Sequence, residues 1–478
     1  MDRRSFLLQT TAAGAAMAAE PAAQEDGQDP APSARPNVIW LMADQWRGQA
    51  LSCNGDPNAR TPTIDALATQ GVHFTRMVSG FPLCCPFRGS LLASRYPHHC
   101  VPGNTYGLPM EQLTVATPFK EAGYQTAWIG KWHLDGFDVH KGRPAMHIVP
   151  PERRRGFDYW AAYENNNSQY DCWVHGGTGR NAFHYRLPGY ETDELANLLI
   201  RYIEDRAAEA KNGHMKPFFA ALSVQPPHDP FLAPPEFMAK YNGEKLELRP
   251  NVPQVAAVQE TARRELAAYY AMIENWDWNI GRVRAALNKA GLAFNTHLVI
   301  FSDHGDMHGS HGQYRKRLAF EESMRVPLIV SGEEPLGADG RGDGRKPALL
   351  NHVDIAPTTL GLCGIKKPSW MEGTDYSQLR LARRNSVSEP DSAYLEVVDP
   401  RGGNGNLNKP YRGVVTKDGW KYTCFEGTSW QLFNLNEDPY ELVNLAHETH
   451  LRAERKRLTA RLRQWVADTG DKFNVPED

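Results

Sequence analysis

Several things are scarce or missing in this 478-residue sequence, and each absence excludes something. Its seven cysteines are irregularly spaced and none forms a Cys-x-x-Cys pair. A disulfide framework and a zinc ribbon are thereby excluded. Long apolar runs are missing too. The mild one that follows Arg4 is interrupted by Gln9, Thr10 and Thr11 and is too short to span a bilayer. Positive charge is not in excess: 53 Lys and Arg stand against 56 Asp and Glu, a formal net charge of -3, which gives no footprint for nucleic acid. Internal repeats are absent, so the chain is not a repeat array. What remains is a globular composition, 41% hydrophobic and 23% charged. At this length one large domain followed by a smaller one is expected.

Along the chain, Asn37 to Met42 is a nearly continuous apolar run that suits a strand buried on both faces, ending at Asp44 and Gln45. Thr61-Pro62 opens a helix carrying Ile64, Leu67 and Ala68, and His73 to Val78 reads as a strand. Further strands are predicted over Tyr124–Ile129, Phe218–Val224, Thr296–Ser302 and Val326–Val330, with helices over Glu191–Ala210 and Glu260–Ala290. This alternation predicts an α/β domain with a large, mainly parallel sheet flanked by helices. Asp135 to Tyr190 reads as a long irregular segment facing substrate, with Arg153-Arg154-Arg155 on a solvated face. Gly337 to Gly344 reads as a glycine-rich surface loop. Near the end, Tyr394–Val398, Tyr411–Thr416, Trp420–Cys424 and Gln431–Leu435 predict an antiparallel sheet in a smaller α+β subdomain, closed by a charged helix from about His447 to Asp468.

The chemistry centres on Leu83-Cys84-Cys85-Pro86-Phe87-Arg88. Pro86 suits the first turn of a helix, where its missing N–H costs nothing. A helix starting here turns its free amides and positive dipole end toward Cys84, favouring an anion beside the thiol. A phosphatase-type loop, with arginine six residues after the cysteine, does not fit: that position is Ser90 after Cys84, Leu91 after Cys85 and Tyr106 after Cys100.

Four predicted strand ends carry Asp44/Gln45, Lys131/His133, His228 and Asp303/His304. In a parallel sheet these ends face one edge, so the residues can converge there. Lys131 and His133 alternate with Trp132 and would share a face of an extended segment. Two carboxylates and an amide oxygen suit Ca²⁺ or Mg²⁺, while His304 keeps Mn²⁺ or Zn²⁺ open. Gly305 fits a sharp exit turn, and Lys316 follows between Arg315 and Arg317.

Cys84-x-Pro86-x-Arg88, followed by Ser90-Leu91-Leu92 and Arg95-Tyr96-Pro97-His98, resembles the signature of the formylglycine-dependent sulfatases of the alkaline phosphatase superfamily. Asn37-Val38-Ile39 with Asp44, Lys131-Trp132-His133, His228, Ser302-Asp303-His304-Gly305, Lys316, Gly419-Trp420-Lys421-Tyr422 and Gln431-Leu432-Phe433 extend the likeness. Phe87, Ala93 and Ser94 depart from the usual signature, and Gln45 stands where many sulfatases have a second Asp. The resemblance implies a catalytic domain over residues 36–365 and a C-terminal subdomain over 366–478. It implies oxidation of Cys84 to formylglycine by a formylglycine-generating enzyme, and a divalent cation, Ca²⁺ first, held by Asp44, Gln45, position 84, Asp303 and His304. Cys84, Arg88, Lys131, His133, His228 and Lys316 are the implied catalytic residues, with His228 as acid and His133 as base, or the reverse. Lys131, His228 and Lys316, with Asn104 and Arg317, are expected to bind substrate.

Asp2-Arg3-Arg4-Ser5-Phe6-Leu7-Leu8 resembles a twin-arginine signal. A signal over residues 1–23 and a linker over 24–35 imply export, to the periplasm or beyond, as a folded protein. Export favours a sulfated carbohydrate as substrate. Two other readings stay open: phosphonate monoester or phosphodiester hydrolases, which share the Asp44-Gln45-Trp46-Arg47 and Asp303-His304 patterns, and a non-catalytic binder of sulfated glycans with Cys84 left as a thiol.

Overall fold

The computed structural model describes residues 35–212, 216–332, 344–381, 388–401 and 407–477. The export signal expected over 1–23, nearly all of the linker, and the glycine-rich loop up to its last residue lie outside the described residues. Among the described residues no helix is long and apolar enough to cross a membrane.

The apolar runs do form the buried strands, and they pair as a ten-stranded mixed sheet. In chain order these strands are β1 (Asn37–Asp44), β2 (Val72–Val78), β3 (Gln125–Lys131), β4 (Tyr159–Tyr163), β5 (Trp173–Gly176), β6 (Phe183–Arg186), β7 (Phe218–Pro227), β8 (Thr296–Ser302), β9 (Leu328–Ser331) and β10 (Arg345–Asn351). Their order across the sheet is β10-β2-β9-β8-β1-β7-β3-β4-β5-β6. β8, β1, β7, β3 and β4 run parallel, as continuous hydrophobic strands require when helices cover both faces. β9 is antiparallel to both its neighbours, as are β5 and β6 to theirs. One core lies on each face. Ile39, Leu41 and Ile300 pack under the helices Glu191–Lys211 and Ala256–Ala290, while Val38, Trp40 and Phe301 pack toward Leu91, Phe119 and Leu360.

Four more strands, β11 (Ser392–Val397), β12 (Tyr411–Thr416), β13 (Trp420–Phe425) and β14 (Thr428–Asn434), form the antiparallel sheet in chain order. Gly419, at φ +95, makes the turn between β12 and β13, a conformation open to glycine. The closing helix runs Arg452–Thr469.

Two readings need correction, and one strand has no counterpart in them. Asp135 to Tyr190 is not an irregular segment: it contains β4, β5 and β6, which extend the main sheet. These strands are four or five residues long, too short for a periodicity to show. Arg153-Arg154-Arg155 is not a solvated face either. Arg153 pairs with Asp135, Arg154 is buried over the Trp160 ring and donates to Gly177 O, and Arg155 donates to Met110 O. β10, an edge strand parallel to β2, was not anticipated, because its Arg345-Lys346-Pro347 start reads as loop.

Candidate active site

Helix Cys84–Ala93 begins on the nucleophile candidate itself, and all ten of its residues are buried. Pro86 is its third residue, where an N–H would have no intrahelical partner. The Cys85 N–H donates to Asn104 Oδ1 at 3.1 Å, so Asn104 supports the helix start beside Cys84.

Around the Cys84 sulfur the strand ends converge as parallel topology requires. Sγ lies 3.2 Å from His304 Nε2, 3.6 Å from Asp44 Oδ1, 3.5 Å from Lys316 Nζ and 4.0 Å from Lys131 Nζ. Burial and Asp44 push the Cys84 thiol up, but Lys131, Lys316 and His304 outweigh them and hold it well below its ordinary range. The site is therefore built for negative charge at position 84.

Asp44 is the hub. Its Oδ2 accepts from Lys131 Nζ at 2.7 Å and from Arg88 Nη2 at 3.0 Å, all three side chains being buried. Burial raises the Asp44 carboxyl, yet Lys131, His228 and Arg88 hold it well below the usual carboxylate range. Arg88 also lies 3.4 Å from Asp303 Oδ2 and donates to Lys131 O and Ser223 Oγ, which fixes its plane. Burial and the Asp44 charge push Asp303 up.

Asp44, Cys84, Asp303 and His304 each offer a ligand atom, all within 4.8 Å of one another. Asp303 Oδ2 is buried without a hydrogen-bond donor among the described residues. Two crowded carboxylates, an open oxygen and an imidazole nitrogen fit a divalent cation. Gln45 borders this group: its Oε1 accepts from Lys316 Nζ at 2.8 Å, and its Nε2 donates to Asp306 at 2.7 Å and Asp229 at 3.2 Å. Two other groupings, His98/Glu396/Asp471 and His311/Glu322/Glu441, already hold Arg412 and Lys421 as their cations.

His228 follows β7. Its Nδ1 donates to the Asp229 carbonyl at 2.6 Å, leaving Nε2 facing Lys316 Nζ at 2.8 Å. Gln169 clamps this loop by donating to His228 O and Pro230 O. Lys131 and His133 both reach the site, but not by sharing an extended face. Lys131 is the last residue of β3, and His133 has φ +56, so the chain turns between them while Trp132 packs against Trp128 and Trp160. Burial, with the charges of Lys131 and Arg88, lowers His133 to about 4. Gly305 is required for space: a Cβ there would lie 2.0 Å from Glu322 O. Arg317, expected to bind substrate, is buried and donates to the Pro400 carbonyl.

A buried cysteine at a helix start, with two lysines, an arginine and a carboxylate pair gathered around it at the ends of parallel strands, is the arrangement the signature implies. The Sulfatase family model matches residues 36–365, over two-thirds of the chain. The chain belongs to the sulfatase family. A second model, the C-terminal part of N-sulphoglucosamine sulphohydrolase, matches residues 309–468 of this sulfatase. It is 36% identical to the ulvan-active sulfatase of Formosa agariphila over 458 residues, which cover 92% of this chain and 82% of that one. It is similar to the solved structure of the YidJ sulfatase of Bacteroides fragilis, with a TM-score of 0.80 and 27% identity over 94% of this chain and 98% of that one. The phosphonate monoester hydrolase of Agrobacterium radiobacter shares the fold, with a TM-score of 0.72 and 24% identity over 91% of this chain and 97% of that one. The protein is thus a sulfuric ester hydrolase with an alkaline-phosphatase-like sheet.

Sequence reading missed Ser223, Asp229, Asp306 and Gln169. Asp229 and Asp306 stand beside predicted site residues but carried no role of their own. Ser223 and Gln169 act from distant segments and left no local signal.

Proposed function

We propose that this sulfatase hydrolyses a sulfate ester on a sulfated carbohydrate, after Cys84 has been converted to formylglycine by a dedicated maturation enzyme and the protein exported by the twin-arginine route to the periplasm or beyond. The reading rests on one observation above all: Lys131 and Lys316 flank the Cys84 sulfur at 4.0 and 3.5 Å, beside the carboxylate pair. That is a cradle for a tetrahedral, negatively charged sulfuryl group. The glycan class is supported by relatives named for such substrates, among them the ulvan-active sulfatase and an endo-4-O-sulfatase of Bacteroides thetaiotaomicron.

A formylglycine at position 84 would supply the hydroxyl nucleophile, and a divalent cation, Ca²⁺ in the first instance, would supply positive charge beside it, held by Asp44, Asp303 and His304 with Gln45 at their border. The remaining work falls to side chains. Lys131, Lys316 and the first amides of helix Cys84–Ala93 stabilise charge on the sulfuryl oxygens. The leaving alcohol takes its proton from the Lys316 Nζ–His228 Nε2 pair, whose imidazole is oriented through Nδ1 by the Asp229 carbonyl. His133, neutral near pH 7, fits the base that deprotonates position 84 and releases sulfate by C–O cleavage.

Peptide mass spectrometry of the 84 segment from a maturation-competent host, with side-by-side kinetics on sulfate and phosphonate esters, tests this. Formylglycine and dominant sulfate turnover are expected, and Cys84→Ala is expected to abolish turnover with the fold intact. An unmodified thiol in active protein, or dominance of the phosphonate ester, would overturn it.

A further inference from the structure

The segment that clamps His228 leads directly into a charged surface that the catalytic machinery does not use. Gln169 holds the His228 and Pro230 carbonyls, and Asp171 follows two residues later. Two arginines converge on that aspartate, one from the segment between β3 and β4 and one from the end of β6. Arg143 Nη2 lies 2.5 Å from Asp171 Oδ2 and donates to the Asp171 carbonyl. Arg186 Nε lies 3.0 Å from Asp171 Oδ1, and its Nη2 donates to Tyr170 O. Trp173 donates its indole N–H to Asp171 Oδ1, and its ring lies 5.2 Å from that of His184.

The charges do not cancel. Two guanidiniums share one carboxylate, so the group carries one net positive charge, and the arginine side chains are 47% and 55% exposed. It also lies on the catalytic edge of the sheet. β5 is antiparallel to β4, and Trp173 pairs with Arg186, so both stand at the end of the sheet where β3 delivers Lys131. Strands β3, β4 and β5 separate β7 from β6. With neighbouring strands about 4.8 Å apart, the arginines lie roughly 15–20 Å from the β7 end. That is beyond the reach of a single sugar seated at Cys84 and within that of a short oligosaccharide.

We propose that Arg143 and Arg186, held apart by Asp171 and flanked by Trp173, form a remote subsite for a second anionic group of a sugar polymer, a sulfate or a carboxylate several residues from the scissile ester. The substrate is then a polyanionic oligosaccharide or polysaccharide. Paired, pre-positioned guanidiniums suit a planar carboxylate or a sulfate, and the adjacent indole suits the apolar face of a sugar. This deepens the sulfate-ester reading given above and rests on it.

The test uses the full-length Cys84→Ala protein with labelled dextran sulfate, and uncharged dextran as control, across a salt series. Replacing both arginines (Arg143→Gln with Arg186→Gln) keeps polar partners for Asp171 and is expected to weaken dextran sulfate binding about three- to tenfold, with a shallower salt dependence. Asp171→Asn, which removes the negative charge between the arginines, is expected to tighten it. In matured enzyme, the double variant should leave kcat/KM on a small aryl sulfate unchanged. Unaltered dextran sulfate affinity in the double variant, weaker binding in Asp171→Asn, or a parallel loss on the small ester would overturn the subsite. Failure of matured wild-type enzyme to cleave any sulfate ester would instead overturn the catalytic reading, whatever the binding results.

Discussion

Replacing Lys131 with methionine removes one charge from the centre of the site while keeping most of the side-chain volume. Lys131 Nζ sits 2.7 Å from Asp44 Oδ2, with the two side chains 1% and 0% exposed. Removing one partner of a buried pair costs about 3–5 kcal/mol because the other charge is stranded. Here Arg88 still holds the same Asp44 oxygen at 3.0 Å, so the lower end, about 3 kcal/mol, is expected. The pH dependence has a definite sign. Asp44 is held below its unfolded value, so the stability it contributes is present above about pH 4 and is lost as pH falls through its folded value. The gap between wild type and Lys131→Met should be full at pH 7 and close in acid. Lys131 Nζ also lies 4.0 Å from the Cys84 sulfur, so on the proposed mechanism matured Lys131→Met should lose about a hundredfold in kcat, as when one preorganised donor to a transition state is removed. Urea unfolding of chelator-treated protein from pH 3 to 8, with turnover of an aryl sulfate, measures both. A loss under 1 kcal/mol at pH 7, or a gap that widens in acid, would refute the account of Asp44 as the charge hub.

Other substitutions probe the surroundings. Glu191 is buried and pushed up to about 7 by burial, while Tyr163 and the Gln225 N–H donate to one oxygen and the other has no hydrogen-bond partner among the described residues. A carboxyl raised in the folded state loses its favourable contribution as pH rises through that value. Glu191→Gln should therefore gain about 3 kcal/mol over wild type at pH 8.5 and almost nothing below about pH 4, read by thermal unfolding at both. In the smaller sheet, burial raises Asp471 but Arg412 and Tyr394 outweigh it and lower it to about 2. Asp471→Asn should cost about 3 kcal/mol at pH 7, with the deficit closing below pH 4 in denaturant titrations. Gln169→Ala releases the loop that aims His228, so kcat should fall about tenfold with KM little changed, in steady-state kinetics on a small sulfate ester.

The order of strands and helices through the parallel half of the sheet was legible because both-face burial writes long apolar runs such as Asn37–Asp44 and Thr296–Ser302. Short antiparallel additions did not announce themselves. β5 and β6 are four residues each and carry polar and aromatic side chains, so their sequence shows no strand period. The convergence of Asp44, Lys131, His228, Asp303 and His304 was also within reach, since strand ends in a parallel sheet face one edge, whereas Cys84 and Lys316 joined them only through the resemblance.

Which atom faces which was not. The sequence alone determined the residue types, the strand ends they occupy and the helix that begins at Cys84, because these follow from local periodicity and the chemistry of single side chains. Only the tertiary structure decided that Lys131 and Arg88 share one oxygen of Asp44, that Gln45 bridges Lys316 to Asp306 and Asp229, and that Arg317 is committed to Pro400. Those pairings join residues 44 to 271 positions apart. They are set by sheet register and loop packing, and no local pattern along the chain carries that information.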